Sequence, residues 1–317
     1  MPKLVLVPFL ATCACAAPDG ASAGPAAITG TRLAGSYPDG FTTSPDASPY
    51  VVDGTVTLGG DLWVTPGTAL DVLAGGTIDF AGTGHRLLID GLLRATGSAA
   101  APARFTAHPS RGYFADGEGF QIVFQGVAYQ PQDGSGSWID HAEITNLAER
   151  SDDPERPLNV VGSGIALDHV KLSVNRGDLN FGSGGVRLAD GGWIILRHCA
   201  IDGLALVIES DLRATPFSVT DNVFRGGDSA IRIDEVEAPA LGPGQIDRND
   251  LDGTLFAKLL GVSGSATIPV GDNYWSDAPN GSGIPFLVSD DGVTASFDFA
   301  DPAPPLPGQP TSAGPDW

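Results

Sequence analysis

Residues 55–106 read TVTLGGDLWVTPGTALDVLAGGTIDFAGTGHRLLIDGLLRATGSAAAPARFT. Within this stretch three strand-like segments occur twice in the same order. Val56 and Leu58 recur as Ile78 and Phe80, Leu62 and Val64 as Leu87 and Ile89, and Leu70 and Val72 as Leu93 and Ala95, at offsets of 22, 25 and 23. Ile78 and Phe80 recur again as Ala103 and Phe105, an offset of 25. Each segment alternates apolar with polar residues and ends at a Gly, Pro or Asn/Asp cluster, which is the pattern of a short strand. Repetition every 20 to 30 residues means that the chain coils rather than folding into hairpins. The stretch predicts an all-β fold, a right-handed single-stranded parallel β-helix with three short strands per coil.

A second series extends the coil. Ile139-Asp140-His141…Ile144 is followed by Leu167-Asp168-His169…Leu172 and Leu196-Arg197-His198…Ile201. Val219-Thr220-Asp221…Phe224, Ile246-Asp247-Arg248…Leu251 and Val270-Gly271-Asp272…Trp275 continue it. The third position steps by 28, 29, 23, 27 and 24 residues, because turns absorb insertions while strands keep register. From Thr55 to Trp275 this gives roughly nine rungs, stacked about 4.8 Å apart. In the last three rungs the next residue is Asn222, Asn249 and Asn273, whose amides are placed to hydrogen-bond in a column. Asp221, Arg248 and Asp272 place opposite charges one rung apart, an ion-pair ladder. His141, His169 and His198 are expected to stack.

The totals limit the function classes. A formal charge of −21 in 317 residues argues against a nucleic-acid partner, because affinity there rests on Lys and Arg neutralising phosphates. It also opposes unaided binding of a polyuronate. Residues 1–17 read as a secretory signal, with Lys3, the apolar run from Leu4 to Ala11, and small residues after it. Two endings compete: Ala14-Cys15-Ala16 fits ordinary cleavage, and Leu10-Ala11-Thr12-Cys13 resembles a lipoprotein box in which Cys13 would carry the lipid. The expected location is the bacterial cell envelope or the extracellular medium, with membrane contact only through that lipid.

Residues 18–49 have linker composition, 50–300 hold the β-helix, and the Pro-rich 301–317 reads as a disordered tail. One short capping helix is expected near 255–262. Cys199 is the only cysteine outside the signal region, so no disulfide is expected and a small packed residue is.

Trp138-Ile139-Asp140-His141 resembles the Trp-Ile-Asp-His segment of pectate lyases. The wider match, with Pro66-Gly67-Thr68, Gly91-Leu92-Leu93 to Thr106, and Asn273-Tyr274-Trp275, covers residues 50 to 290 and is similar to the pectate-lyase-like superfamily. That resemblance implies the parallel β-helix fold, and implies that Asp140, paired with Asp168, contributes to a Ca²⁺ site. The lyases' Arg-x-Pro-x-x-Arg stretch is missing, because Arg156-Pro157 runs into Leu158-Asn159-Val160. Leu167-Asp168-His169 repeats the same pattern one rung later, which assigns it to the solenoid. The polygalacturonase sets Asn-Thr-Asp, Gly-His-Gly and Arg-Ile-Lys are also absent, and no nucleophile triad can be assembled.

Three long insertions fall on consecutive rungs, at 108–119, 128–137 and 146–162. They carry Tyr113, Phe114 and Tyr129 as stacking surfaces, and Arg150, Asp152 and Arg156 as directional hydrogen-bonding groups. Aromatics beside planar polar groups suit sugar rings. The sequence therefore predicts a non-catalytic carbohydrate-binding or structural module, with an extracellular polysaccharide as partner. The alternative is a Ca²⁺-dependent polysaccharide lyase.

Overall fold

The computed structural model describes residues 29–108, 119–148, 157–174, 185–208, 217–225, 229–234, 244–251 and 255–260, together with Asn273, 288–289 and 314–315. Apart from one 3₁₀ turn at Pro45–Ala47, its regular elements are all strands. Thr31–Arg32 pairs with Tyr50–Val52, Gly35–Tyr37 with Thr55–Leu58, and Phe41–Thr42 with Leu62–Val64. Those three then pair with Ala69–Leu73, Thr77–Ala81 and His85–Ile89. Every one of these pairs is parallel and joins a strand to the third strand after it. A short connection between adjacent parallel strands is impossible, so the chain must travel round through two other sheets before it returns. The result is a three-sided parallel solenoid.

Alternation then separates inside from outside on each face. On the first sheet the inward column runs Val52, Val72, Ala95, Ile139, Leu167, Leu196, Val219 and Ile246, all buried. Phe80, Phe105, Phe120 and Phe124 fill the interior where the other two sheets meet it. Each such side chain contributes about 1.5–3 kcal/mol when taken out of water.

From Trp138 onward the first and second sheets meet at a tight corner, of one residue in two coils and of two residues in the three described coils after them. Trp138–Leu147 and Gly164–Val174 each run through both sheets and bend at His141 and His169. The corner residues His141, His169, His198, Asp221 and Arg248 all have φ between 50° and 59°. Positive φ is uncommon outside glycine, and His and Asp are among the residues that tolerate it best. The corner thus explains why the third position of the repeat is polar.

Register agrees with the first three offsets of the repeat: Val56 faces Ile78, Leu62 faces Leu87, and Leu70 faces Leu93. The fourth is corrected. Ile78 faces Phe105 and Phe80 faces Ala107, an offset of 27 rather than 25. A slip of two keeps every side chain on its own face, so alternation alone cannot detect it. Small Ala107 beside Phe80 leaves room for Phe120, whose ring stacks on Phe80 at 5.0 Å.

Three boundaries also change. Residues 31–49, expected as linker, supply the first coil. Leu33 is 3% exposed there, and Thr43 bonds the hydroxyl of Thr68 at 2.7 Å. Leu255–Leu260 is a strand paired with Ser229–Asp234, not a helix. In the segment expected as a disordered tail, the Gly314 N–H donates to Asp221 O at 2.7 Å. Residues 1–28, with Cys13, lie outside the described residues. Among the described residues no helix is long and apolar enough to cross a membrane.

Candidate functional site

The outer face of the first sheet changes character around Trp138. On earlier coils its outward positions are closed by ion pairs, such as the bidentate Arg94–Asp71 contact at 2.6 and 2.9 Å. From Trp138 on, strand register sets Trp138 beside Ala166 and Asp140 beside Asp168, with Arg197 beside Asp168 on the next coil. Small Ala166 beside Trp138 opens a depression of about 230 Å³ lined by Trp138, Asp140, Asp168, Arg197, Tyr129 and Gly134. That is below the span of a drug-sized pocket and on the scale of a ring-sized ligand.

The segment 125–137 builds one wall. It folds on itself through a Gln130–Ser135 bridge and a 2.8 Å bond from Gly134 N–H to Gln130 O. Bonds from Ser135 hold the Asp133 carboxyl below its ordinary range and tighten the turn. Tyr129 N–H donates to Gly164 O at 2.9 Å, which fixes the loop to the sheet. The Trp193 ring packs directly against Gly164, where a Cβ would sit 2.1 Å from its Cε2, and its centroid is 6.2 Å from that of Tyr129. Glycine at 164 is thus required for this aromatic arrangement.

Beside the groove runs the imidazole column. His141 and His169 stack at 4.4 Å and 12°, His169 and His198 at 4.6 Å and 20°. All three rings turn Nδ1 toward the carboxylates. His141 Nδ1 lies 2.7 Å from Asp140 Oδ1, while His169 and His198 Nδ1 lie 3.0 and 2.9 Å from Asp168 Oδ1. Arg197 Nε donates to Asp168 Oδ2 at 2.7 Å.

The expected Asn column is present. Asn222 Nδ2 donates to Asn249 Oδ1 at 3.0 Å, and Asn249 Nδ2 to Asn273 Oδ1 at 2.9 Å. Asp221 and Arg248 form the expected ion pair, bidentate at 2.8 and 2.7 Å; Asp272 lies outside the described residues. Cys199 is fully buried, and burial drives its thiol far above its ordinary range, so it is chemically quiet.

Of the residues expected to bind sugar, Tyr129 lines the groove. Tyr113, Phe114, Arg150, Asp152 and Arg156 lie outside the described residues. Asp140 and Asp168 are brought together as expected, but their surroundings do not fit Ca²⁺, which takes six to eight oxygen ligands. Here two carboxylates face three imidazole nitrogens and an arginine.

Sequence reasoning missed Trp138, Trp193 and Arg197 as site residues. The signal was the small residue one coil away from each tryptophan, Ala166 and Gly164, visible only once the register is fixed. No family model, curated protein or solved structure matches this chain.

Proposed function

We propose that the protein is an exported carbohydrate-binding module on a right-handed parallel β-helix of roughly nine rungs, of the pectate-lyase-like class. The observation that carries this reading is the groove in which Tyr129 and Trp138 stand beside Asp140, Asp168 and Arg197. A sugar ring has an apolar face for the aromatics and a rim of hydroxyls for carboxylate and guanidinium groups. Right-handed coiling follows the general chirality of parallel crossovers. The N-terminal signal supports export, with either Cys13 acylation or free secretion. Radiolabelled palmitate incorporation in a bacterial host, lost in Cys13→Ser, would select the lipoprotein.

The mixed-sign rim, on a chain of net charge −21, favours a neutral or weakly acidic glycan. Full-length protein on a glycan array, followed by calorimetry, tests this. Tyr129→Ala and Trp138→Ala should each weaken binding at least tenfold, about 1.4 kcal/mol, with the melting temperature nearly unchanged. Silence across a broad array, or binding indifferent to both substitutions, would remove the reading.

A second reading, a polysaccharide lyase, draws on Arg197 standing beside two carboxylates in that groove. Unsaturated-product absorbance from uronate polymers with Ca²⁺, abolished by Asp140→Ala, would replace the first reading with it.

A further inference from the structure

Two sets of three potential ligand atoms lie within 4.8 Å of one another beside the groove: Asp140, His141 and His169, and Asp168, His169 and His198. A stack of rings alone would be a linear array with no common focus. Here the three rings share one corner conformation, with φ of 50–52°, and each presents its Nδ1 to an aspartate carboxylate, Asp140 for His141 and Asp168 for His169 and His198. The column therefore has foci.

We propose that Asp168, His169 and His198 form a binding site for one divalent transition-metal ion of the Zn²⁺ class. Imidazole nitrogens with a carboxylate suit Zn²⁺, Co²⁺, Ni²⁺ and Cu²⁺ rather than Ca²⁺ or Mg²⁺. Tetrahedral Zn²⁺ with ligands at 2.0–2.2 Å needs ligand atoms about 3.3–3.5 Å apart. The Nδ1 atoms of His169 and His198 stand 3.0 and 2.9 Å from Asp168 Oδ1 on rings stacked at 4.6 Å, so binding requires side-chain rotations that widen the N–O separations and tilt the two rings toward one point. Arg197 holds Oδ2 of Asp168 and leaves Oδ1 directed at the rings, the outer-shell support that metal-bound carboxylates need.

The ligands sit on adjacent coils whose backbones are locked by parallel pairing, so little ordering is required. His169 is common to both sets; its Nδ1 lies 3.0 Å from Asp168 Oδ1 and 3.6 Å from Asp140 Oδ1 and has a single lone pair. The two described sets therefore hold one ion between them. Its fourth position is left to water or a ligand. The proposal does not depend on glycan binding.

The test uses untagged full-length protein, stripped with chelator and titrated with Co²⁺ and then Zn²⁺. One equivalent of Co²⁺ should give the intense visible absorption of a four-coordinate site with nitrogen ligands, and one equivalent of Zn²⁺ should remove it. Ca²⁺ in excess should not. His169→Asn and His198→Asn are the informative variants, because Asn tolerates the positive φ of the corner. Circular dichroism checks that they fold. Each should abolish the absorption, whereas His85→Ala and His108→Ala, elsewhere on the rod, should retain it. Absence of the four-coordinate spectrum in the parent, or its persistence in folded His169→Asn or His198→Asn, would overturn the site.

Discussion

Removing one amide from the Asn column should cost more than its size suggests. Asn222 is fully buried, and its side chain and backbone N–H make four hydrogen bonds. Its Oδ1 accepts from Cys199 N–H at 2.9 Å, and its Nδ2 donates to Leu196 O at 2.8 Å and to Asn249 Oδ1 at 3.0 Å. Its own N–H donates to Asn249 Oδ1 at 2.9 Å. Asn222→Ala keeps the last bond but strips the Cys199 N–H of its acceptor and Leu196 O of this donor. Each stripped buried group costs about 1–3 kcal/mol, so the expected loss is about 4 kcal/mol. Asn222→Asp is nearly isosteric yet sets an oxygen against Asn249 Oδ1 and Leu196 O. At neutral pH it should be at least as damaging as alanine. Protonation supplies a donor, so its deficit should shrink as pH falls through the carboxylate range. Urea midpoints followed by tryptophan fluorescence measure both, and hydrogen exchange should lose protection first at the Cys199 amide. An alanine effect below about 1 kcal/mol, or an aspartate milder than alanine at pH 7, would refute the reasoning.

Cys199 stands one coil before Asn222 at the same position, and its Sγ lies 3.6 Å from Leu167 O, much as Asn222 Nδ2 lies near Leu196 O. Cys199→Asn should therefore be tolerated and raise the urea midpoint by extending the column, whereas Cys199→Leu should lower it; the reverse order would count against this equivalence. Native Cys199 should resist maleimide until the chain unfolds, since burial keeps the thiol protonated. Burial also pushes the Asp79 carboxyl above its ordinary range, with His108 at 3.4 Å opposing the shift only in part. The folded state then holds that proton longer than the unfolded one, so stability falls as pH rises from the unfolded toward the folded value. Asp79→Asn should raise the melting temperature at pH 7 and lose that advantage below both values; no gain at pH 7 would exclude the penalty. Arg94→Ala leaves the buried Asp71 carboxylate without its bidentate partner and should cost about 1–3 kcal/mol in thermal melts, discounted for Arg94 being 39% exposed.

The coil was legible where its inward positions alternate and return after 22 to 29 residues; across the long insertions the return is later, as between Ala95 and Ile139, 44 apart. Legibility failed where alternation carries no further information. The slip at Phe105 preserves the face of every side chain, so only the packing of Phe80 on Phe120 decides it. The first coil was hidden because Thr31–Arg32, Gly35–Tyr37 and Phe41–Thr42 are two or three residues long, too short to show a period. Leu255–Leu260 carries consecutive apolar residues that fit either period, and pairing with Ser229–Asp234 selects the strand. Of the site, Tyr129 could be singled out as an aromatic in an insertion. Trp138 and Trp193 read as ordinary strand residues until register places Ala166 and Gly164 next to them.

One corner position supports quite different chemistry along the rod. At Asp221 and Arg248 it forms a bidentate ion pair, which satisfies both side chains and leaves little for a ligand. At His141 and His169 the same backbone conformation carries imidazoles whose partners are the aspartates just before them, and at His198 one whose partner is Asp168 of the preceding coil. The scaffold requires only a polar residue that tolerates positive φ. It does not require histidine three times, nor aspartate before two of them. Solenoid register then turns residues 28 or 29 apart in sequence into neighbours stacked at 4.4–4.6 Å. The loop carrying Tyr129 crosses this same part of the face and shares the depression with Asp140 and Asp168. An excess of ligand-type side chains, where the fold needs none of them and beside a wall it does not need either, is what separates this patch from the rest of the rod.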